Sequence, residues 1–124
     1  MNCNFNYSGS ESLCVETFKY SVMHKSKRYK INNQDDSGNK ILDCCEDIAT
    51  DLAYSIRQIL DSRCIEFSFK YDWGQTLIIE PCHYDSTLRY SIIIKDSVHT
   101  EKMTIKPERL KDLSYALNKI LSKK

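Results

Sequence analysis

Four strand-like segments separated by very short turns constrain the fold of this chain more than any other feature of the sequence. They cover residues 64–71, 76–83, 87–95 and 98–106, and the first and third of them alternate apolar with polar side chains, as strands with one buried face do. Connections of so few residues join antiparallel neighbours, because parallel strands need a long crossover. The sequence therefore predicts a four-stranded antiparallel meander.

Helical patterns are present on both sides of these four segments. Residues 39–62 carry apolar side chains at intervals of three and four, with Asn39 as the expected N-cap. Pro107 stands at the expected first position of a second helix over residues 107–122. Both apolar stripes need a surface to cover, and the meander offers one. We therefore expect a single α+β domain over residues 1–124, with a long helix before the meander and a C-terminal helix packed on one face.

The first quarter of the chain gives a weaker pattern. We expect a strand near residues 2–7, followed by either a helix or a hairpin up to residue 31, because features of both are present there. The polar, turn-rich stretch over residues 32–39 predicts a loop. No internal repeat is apparent.

Two adjacent cysteines, Cys44 and Cys45, lie among acidic residues in the predicted first helix. A helical wheel places Cys45 in the apolar stripe and Cys44 at its margin, and adjacent helical residues cannot hold one metal ion together. Strand alternation sends Cys82 and His83 to opposite faces. The sequence also lacks a phosphate-binding glycine loop and any recognisable catalytic motif. We therefore expect no metal, no cofactor and no enzymatic activity.

The chain carries six cysteines and a net charge of +1, so its overall charge predicts no partner. It begins without the basic and apolar segments of a secretory signal, and no apolar run approaches the length of a membrane span. We therefore expect a cytoplasmic protein with reduced thiols that does not associate with membranes.

Acidic side chains form a patterned face on the predicted first helix. Asp43, Asp47 and Asp51 recur every four residues and stack along one side, with Glu46 and Tyr54 beside them. Like charges at this spacing destabilise a helix by roughly 0.2–0.5 kcal/mol per pair. Two interpretations remain open. Either the face is solvated or paired with bases elsewhere in the fold, or it is a docking surface on which these five residues contact a basic protein.

A small domain with no catalytic motif, an acidic helix face and this α+β layout resembles the bacterial immunity proteins that neutralise toxins of contact-dependent inhibition and related systems. The resemblance covers the whole chain and rests on size, composition and layout. It implies a tight stoichiometric complex with a toxin domain, often a nuclease whose basic site the immunity protein blocks or distorts. It implies neither a particular toxin nor an oligomeric state.

Nucleic-acid binding is one alternative function. The segment 19–30 is basic, and Lys25, Lys27, Arg28 and Lys30 are interleaved with aromatic residues, which is a pattern found in proteins that bind single strands. Acids follow at once and no known RNA-binding motif is present, so nucleic acid is the less expected partner.

A small enzyme or ligand-binding domain is the other alternative. It requires a deep cleft between the sheet and the helices. The side chains that the sequence offers for such a cleft are Glu80, Cys82, His83 and His99.

Overall fold

A computed structural model of the chain describes residues 2–19, 27–62 and 65–122. Within these residues the chain forms four strands and a helix, and then four strands and a helix again. The elements are β1 (Asn2–Ser8), β2 (Glu11–Lys19), β3 (Lys27–Asp35), β4 (Gly38–Cys45), α1 (Glu46–Leu60), β5 (Phe67–Lys70), β6 (Thr76–Tyr84), β7 (Thr87–Lys95), β8 (Thr100–Ile105) and α2 (Pro107–Leu121). Neighbouring strands pair antiparallel in chain order and make two four-stranded sheets, β1–β4 and β5–β8. The expected α+β class is confirmed.

The expected long helix before a single meander is not confirmed, because a first sheet precedes the helix and the first part of the predicted helix is a strand. Residues up to Cys45 form β4, and α1 begins at Glu46. β4 pairs with β3 along its whole length. The predicted loop over residues 32–39 is instead the end of β3, a tight turn and the start of β4. In this turn Gly38 takes a φ of 115°, which residues with a Cβ rarely adopt.

The segment before residue 31 contains a hairpin, which is one of the two alternatives that the sequence leaves open. β2 pairs with β1 on one side and with β3 on the other. The side chains of Leu13, Val15 and Ile31 are fully buried, so the apolar alternation of this segment serves a sheet face. Residues 20–26, between β2 and β3, lie outside the described residues.

The chain repeats one structural plan, in a first half (β1 to α1) and a second half (β5 to α2). Helix positions correspond at a constant offset of 61 residues, as from Asp51 to Asp112. The buried residues match at this offset: they are Ile48, Ala49, Leu52, Ala53, Ser55, Ile56 and Ile59 in α1, and Arg109, Leu110, Leu113, Ser114, Ala116, Leu117 and Ile120 in α2. The segments DLAYSIRQIL and DLSYALNKIL show the same correspondence in sequence. The expectation of no internal repeat is therefore wrong.

Each helix packs partly on the sheet of the other half. α1 contacts β6 as well as β3 and β4, α2 contacts β1 and β2 as well as β7, and the two helices contact each other. Buried side chains of both sheets and both helices form one hydrophobic cluster, and full burial of each Leu or Ile stabilises the fold by about 1.5–3 kcal/mol. This crossing brings the turn after β5 against α1, where the candidate site lies.

Candidate functional site

Three of the five residues predicted to bind a partner line one groove, together with two aromatic residues that the sequence did not single out for this role. Glu46, Asp47 and Asp51 come from the first two turns of α1, and Tyr71 and Trp73 come from the turn that follows β5. These side chains form most of the lining of an open groove of about 540 Å³. We call it the acidic aromatic groove.

The start of α1 places the acidic side chains. Glu46 and Asp47 occupy its first turn, where unpaired backbone N–H groups carry partial positive charge and favour acids. Cys45 is the N-cap and makes no side-chain capping hydrogen bond. Asp51 lies one turn further along, on the same side as Asp47. Asp47 is exposed and Asp51 is half-buried, so the helix presents its carboxylates at the groove mouth and along its wall.

A pair of stacked rings forms the other wall. The Tyr71 hydroxyl donates a hydrogen bond of 2.7 Å to Asp51 Oδ2, and the Tyr71 and Trp73 rings stack with centroids 4.6 Å apart and an interplanar angle of 18°. The indole N–H of Trp73 donates to Gln75 Oε1 at 2.7 Å. The turn is closed by a hydrogen bond from Gly74 N to the Tyr71 carbonyl at 3.0 Å. The indole is therefore oriented by its neighbours although 52% of Trp73 is exposed.

The electrostatics of the groove favour a cation. Burial, the hydrogen bond to Asp51 and the charge of that carboxylate all raise the pKa of Tyr71 well above its ordinary value, so the phenol stays protonated and keeps donating at neutral pH. Among the described residues, no ion pair involves Asp47 or Asp51. Negative charge thus lies beside exposed aromatic faces, and both attract a positively charged group.

Asp43 does not belong to this groove. It lies on β4 rather than on a helix, and its Oδ1 pairs with Arg28 Nε at 3.1 Å, with 30% and 32% of the two side chains exposed. The predicted stack of three aspartates on one helix face is therefore wrong at Asp43, because the helix starts three residues after it. Only Asp47 and Asp51 share a helix face.

Tyr54 lies next to the groove and not in it. It is 55% exposed and packs edge-to-face on Phe67, with ring centroids 6.0 Å apart. It lines a second open depression between the two helices, to which Arg57 and Asn118 also contribute. Partner contact through Tyr54 stays a prediction, with an exposed aromatic surface in its support.

The environments of the two adjacent cysteines, Cys44 and Cys45, are the reverse of those predicted. Cys44 is buried, and burial together with the nearby Cys45 raises its pKa to about 12. Cys45 is only partly buried, at the start of α1. The helical wheel failed here because both residues end a strand, in which alternate side chains point inward. Within the described part of the chain, no three Cys, His, Asp or Glu side chains are arranged to hold a metal ion.

The basic segment of the first alternative is only partly described. Lys25 lies outside the described residues, whereas Lys27, Arg28 and Lys30 are on β3. Arg28 is paired with an acid of β4, and Lys30 Nζ lies 3.4 Å from Glu16 Oε1. Pairing with acids on neighbouring strands offsets part of the charge that a phosphate backbone would meet.

The residues of the second alternative do not converge on one cleft. His83 lies at the end of β6 next to the β6–β7 turn, whereas His99 lies in the β7–β8 turn at the opposite end of the sheet. Glu80 and Cys82 are on one face of β6, and His83 is on the other. The structure therefore gives these four residues no common site.

Sequence reasoning missed Tyr71 and Trp73 as members of the site. Both fall in or beside a stretch that it did identify as a turn, but nothing local connects that turn to α1. The internal repeat could have identified Tyr71, because the Tyr7 hydroxyl bonds to Asp112 of α2 as the Tyr71 hydroxyl bonds to Asp51 of α1. Recognising the repeat would have paired each tyrosine with an aspartate.

None of the helices in the described part of the chain has the length and apolar character needed to cross a membrane. No protein-family model matches the sequence, and no curated protein matches it. The function has to be inferred from the groove itself.

Proposed function

We propose that this protein binds a basic protein partner stoichiometrically through the acidic aromatic groove and neutralises it, as a toxin-immunity protein does. The observation that carries this proposal is the placement of the Glu46, Asp47 and Asp51 carboxylates beside the exposed indole of Trp73. In this proposal the chain acts in the cytoplasm as a binding protein and not as an enzyme, and the partner is a toxin domain with a basic surface, such as a nuclease.

The shape of the groove supports a macromolecular partner. The groove is open along the surface. Tyr54, which is 55% exposed, lies beside it on α1, the helix that supplies the acidic residues. Tryptophan and tyrosine are among the residues that contribute most binding energy in protein interfaces. An acidic face also speeds association with a basic partner by electrostatic steering, which a neutralising inhibitor needs.

Site-specific photo-crosslinking identifies the partner and locates its contact in one experiment. A benzoylphenylalanine placed at Trp73 should crosslink one basic protein in the cells that produce this chain. The same group placed at Val98, which is 86% exposed on the β7–β8 turn, serves as the control and should not crosslink it. Co-expression of the wild-type chain should then relieve the growth arrest that the captured partner causes.

Titration of the purified partner tests the acidic face. The wild-type chain should bind it with a 1:1 ratio, and the double substitution Asp47→Lys with Asp51→Lys should weaken the complex by at least roughly tenfold. The double substitution Glu108→Lys with Asp112→Lys, at the positions of α2 that correspond to Asp47 and Asp51, makes the same change of net charge and is the matched control. Unchanged affinity of the double variant would contradict binding through this groove.

A further inference from the structure

A counterpart of the acidic aromatic groove lies where α2 meets β1. The Tyr7 hydroxyl donates to Asp112 Oδ2 at 2.6 Å, just as the Tyr71 hydroxyl donates to Asp51 Oδ2 at 2.7 Å. The two aspartates occupy the sixth position of their helices. Each helix carboxylate thus holds a tyrosine ring from the other half of the chain, in the same relation.

The counterpart is filled by a side chain of the protein itself. The guanidinium carbon of Arg109 lies 4.2 Å from the centroid of the Tyr7 ring. Arg109 is 3% exposed, pairs with Glu11 and donates to Asn33 Oδ1 at 3.1 Å. The Tyr7 ring, which a helix aspartate holds, is therefore covered by a guanidinium that also meets a carboxylate.

The acidic aromatic groove lacks that internal guanidinium. The position in α1 that corresponds to Arg109 is Ile48, which is fully buried. One face of Tyr71 is covered by Trp73 instead, and about half of Trp73 is exposed. The acidic aromatic groove thus has the tyrosine–aspartate pair and the helix carboxylates of its counterpart, and the position of α1 that corresponds to Arg109 carries no cation.

We propose that the acidic aromatic groove takes an arginine side chain of the basic partner, with its guanidinium on the exposed face of Trp73 and paired with Asp47 and Asp51. This inference rests on the proposed function and names the chemical group that the groove recognises. A guanidinium fits better than an ammonium, because it is planar, stacks on aromatic rings and offers several donors to neighbouring carboxylates. Tyr71 holds Asp51 in place for this contact through its hydroxyl.

Intrinsic fluorescence gives a direct assay, because Trp73 is the single tryptophan of the chain. The wild-type chain is titrated with three acetylated and amidated tripeptides, Gly-Arg-Gly, Gly-Lys-Gly and Gly-citrulline-Gly. The arginine peptide should change the fluorescence saturably with a Kd on the order of 1–10 mM, a range suited to one small cationic group. The lysine peptide should bind at least about threefold more weakly. The citrulline peptide, which has the shape of arginine without its charge, should give no saturable change.

The internal repeat supplies matched control variants. Asp47→Asn with Asp51→Asn should abolish the fluorescence response to the arginine peptide, and the amide at position 51 can still accept the Tyr71 hydrogen bond, so the fold is kept. Glu108→Gln with Asp112→Asn makes the same changes at the corresponding positions of α2 and should leave the response intact. Circular dichroism of both double variants verifies that they are folded.

Three outcomes would overturn the arginine site: no saturable response to the arginine peptide, equal binding of the lysine peptide, or a response that survives Asp47→Asn with Asp51→Asn. Each is distinguishable from failure of the proposed function. A partner that crosslinks at Trp73 and is weakened by the lysine substitutions would still support a docking groove, even if the arginine peptide did not bind.

Discussion

The substitution Arg89→Met should destabilise this protein far more than Arg28→Met, although the two arginines are 61 residues apart, the offset that also relates the two helices. Arg89 Nη1 lies 3.2 Å from Asp35 Oδ2, and its Nη2 lies 2.9 Å from Asp36 Oδ1. The Arg89 and Asp35 side chains are 4% and 0% exposed. They join the β3–β4 turn of the first half to β7 of the second, so this contact ties the two halves together.

The expected magnitude follows from burial. Removing one member of a buried ion pair leaves an uncompensated charge and costs about 3–5 kcal/mol. Asp35 keeps hydrogen bonds from Asn33 Nδ2 at 3.1 Å and from the Ser37 backbone N–H at 2.8 Å, so we expect about 3 kcal/mol, the lower end of that range. The pair between Arg28 and its acid is about one third exposed, and exposed pairs contribute about 0–1 kcal/mol.

Urea unfolding followed by circular dichroism and by Trp73 fluorescence measures both variants. With a urea m value of about 1–3 kcal/mol per M, a loss of about 3 kcal/mol lowers the unfolding midpoint of Arg89→Met by roughly 1–3 M. The midpoint of Arg28→Met should move by a third of that or less. Equal shifts in the two variants would refute the view that burial, rather than the presence of a salt bridge, sets the contribution of each arginine.

Three further predictions concern the core, acid stability and the thiols. Leu52→Ala and Leu113→Ala, at corresponding and fully buried positions, should each lower the free energy of unfolding by about 2–5 kcal/mol. Urea unfolding should give similar losses for the two variants. A small loss in only one of them would contradict equivalent packing at the two positions. Hydrogen bonds from Arg89 and Lys106 hold the pKa values of Asp36 and Glu11 below their ordinary range, so the unfolded chain binds more protons in acid. Their contribution is complete above about pH 5 and is lost as the pH falls, and thermal melts between pH 6 and pH 2.5 should show a falling midpoint. Because burial raises the pKa of Cys44 to about 12, its modification by a thiol reagent at pH 8 should require unfolding, which peptide mapping by mass spectrometry would detect.

The second half of the chain was predictable because its signals are local. The segment 87–95 alternates apolar and polar side chains, and β7 covers the same residues. Pro107 fixes the start of α2, since proline at the first helical position sacrifices no hydrogen bond. Short turns then leave no alternative to antiparallel neighbours.

The start of α1 was not predictable in the same way. Between residues 39 and 45 the apolar side chains satisfy a helical stripe that continues into α1, but they also satisfy strand alternation. Pairing with β3 decides between the two, and it turns Leu42 inward while Ile41 stays 47% exposed. No local pattern reports that partner strand, because β3 covers the end of the segment whose structure was left open and the start of the predicted loop.

The candidate site was predictable only on its helix side. Helical spacing identified Asp47 and Asp51 as neighbours, since both lie within α1. Tyr71 and Trp73 meet them because α1 crosses onto the second sheet, which is a consequence of tertiary packing and not of any spacing in sequence. The spacing within α1 places Asp51 on the groove side of the helix, and the packing of α1 against the turn after β5 places Tyr71 and Trp73 beside it.

The crossed helices have a consequence for how this chain can diverge. Two ββββα units that share one core, with each helix packed partly on the sheet of the other unit, resemble a symmetric dimer whose subunits have been joined end to end. A symmetric dimer presents every surface twice and cannot change one copy alone. Once the copies are joined in one polypeptide, each is free to mutate separately. Arg109 and its counterpart Ile48 show the kind of difference that this permits: one tyrosine–aspartate pair is covered by an internal guanidinium, and the other borders an open groove.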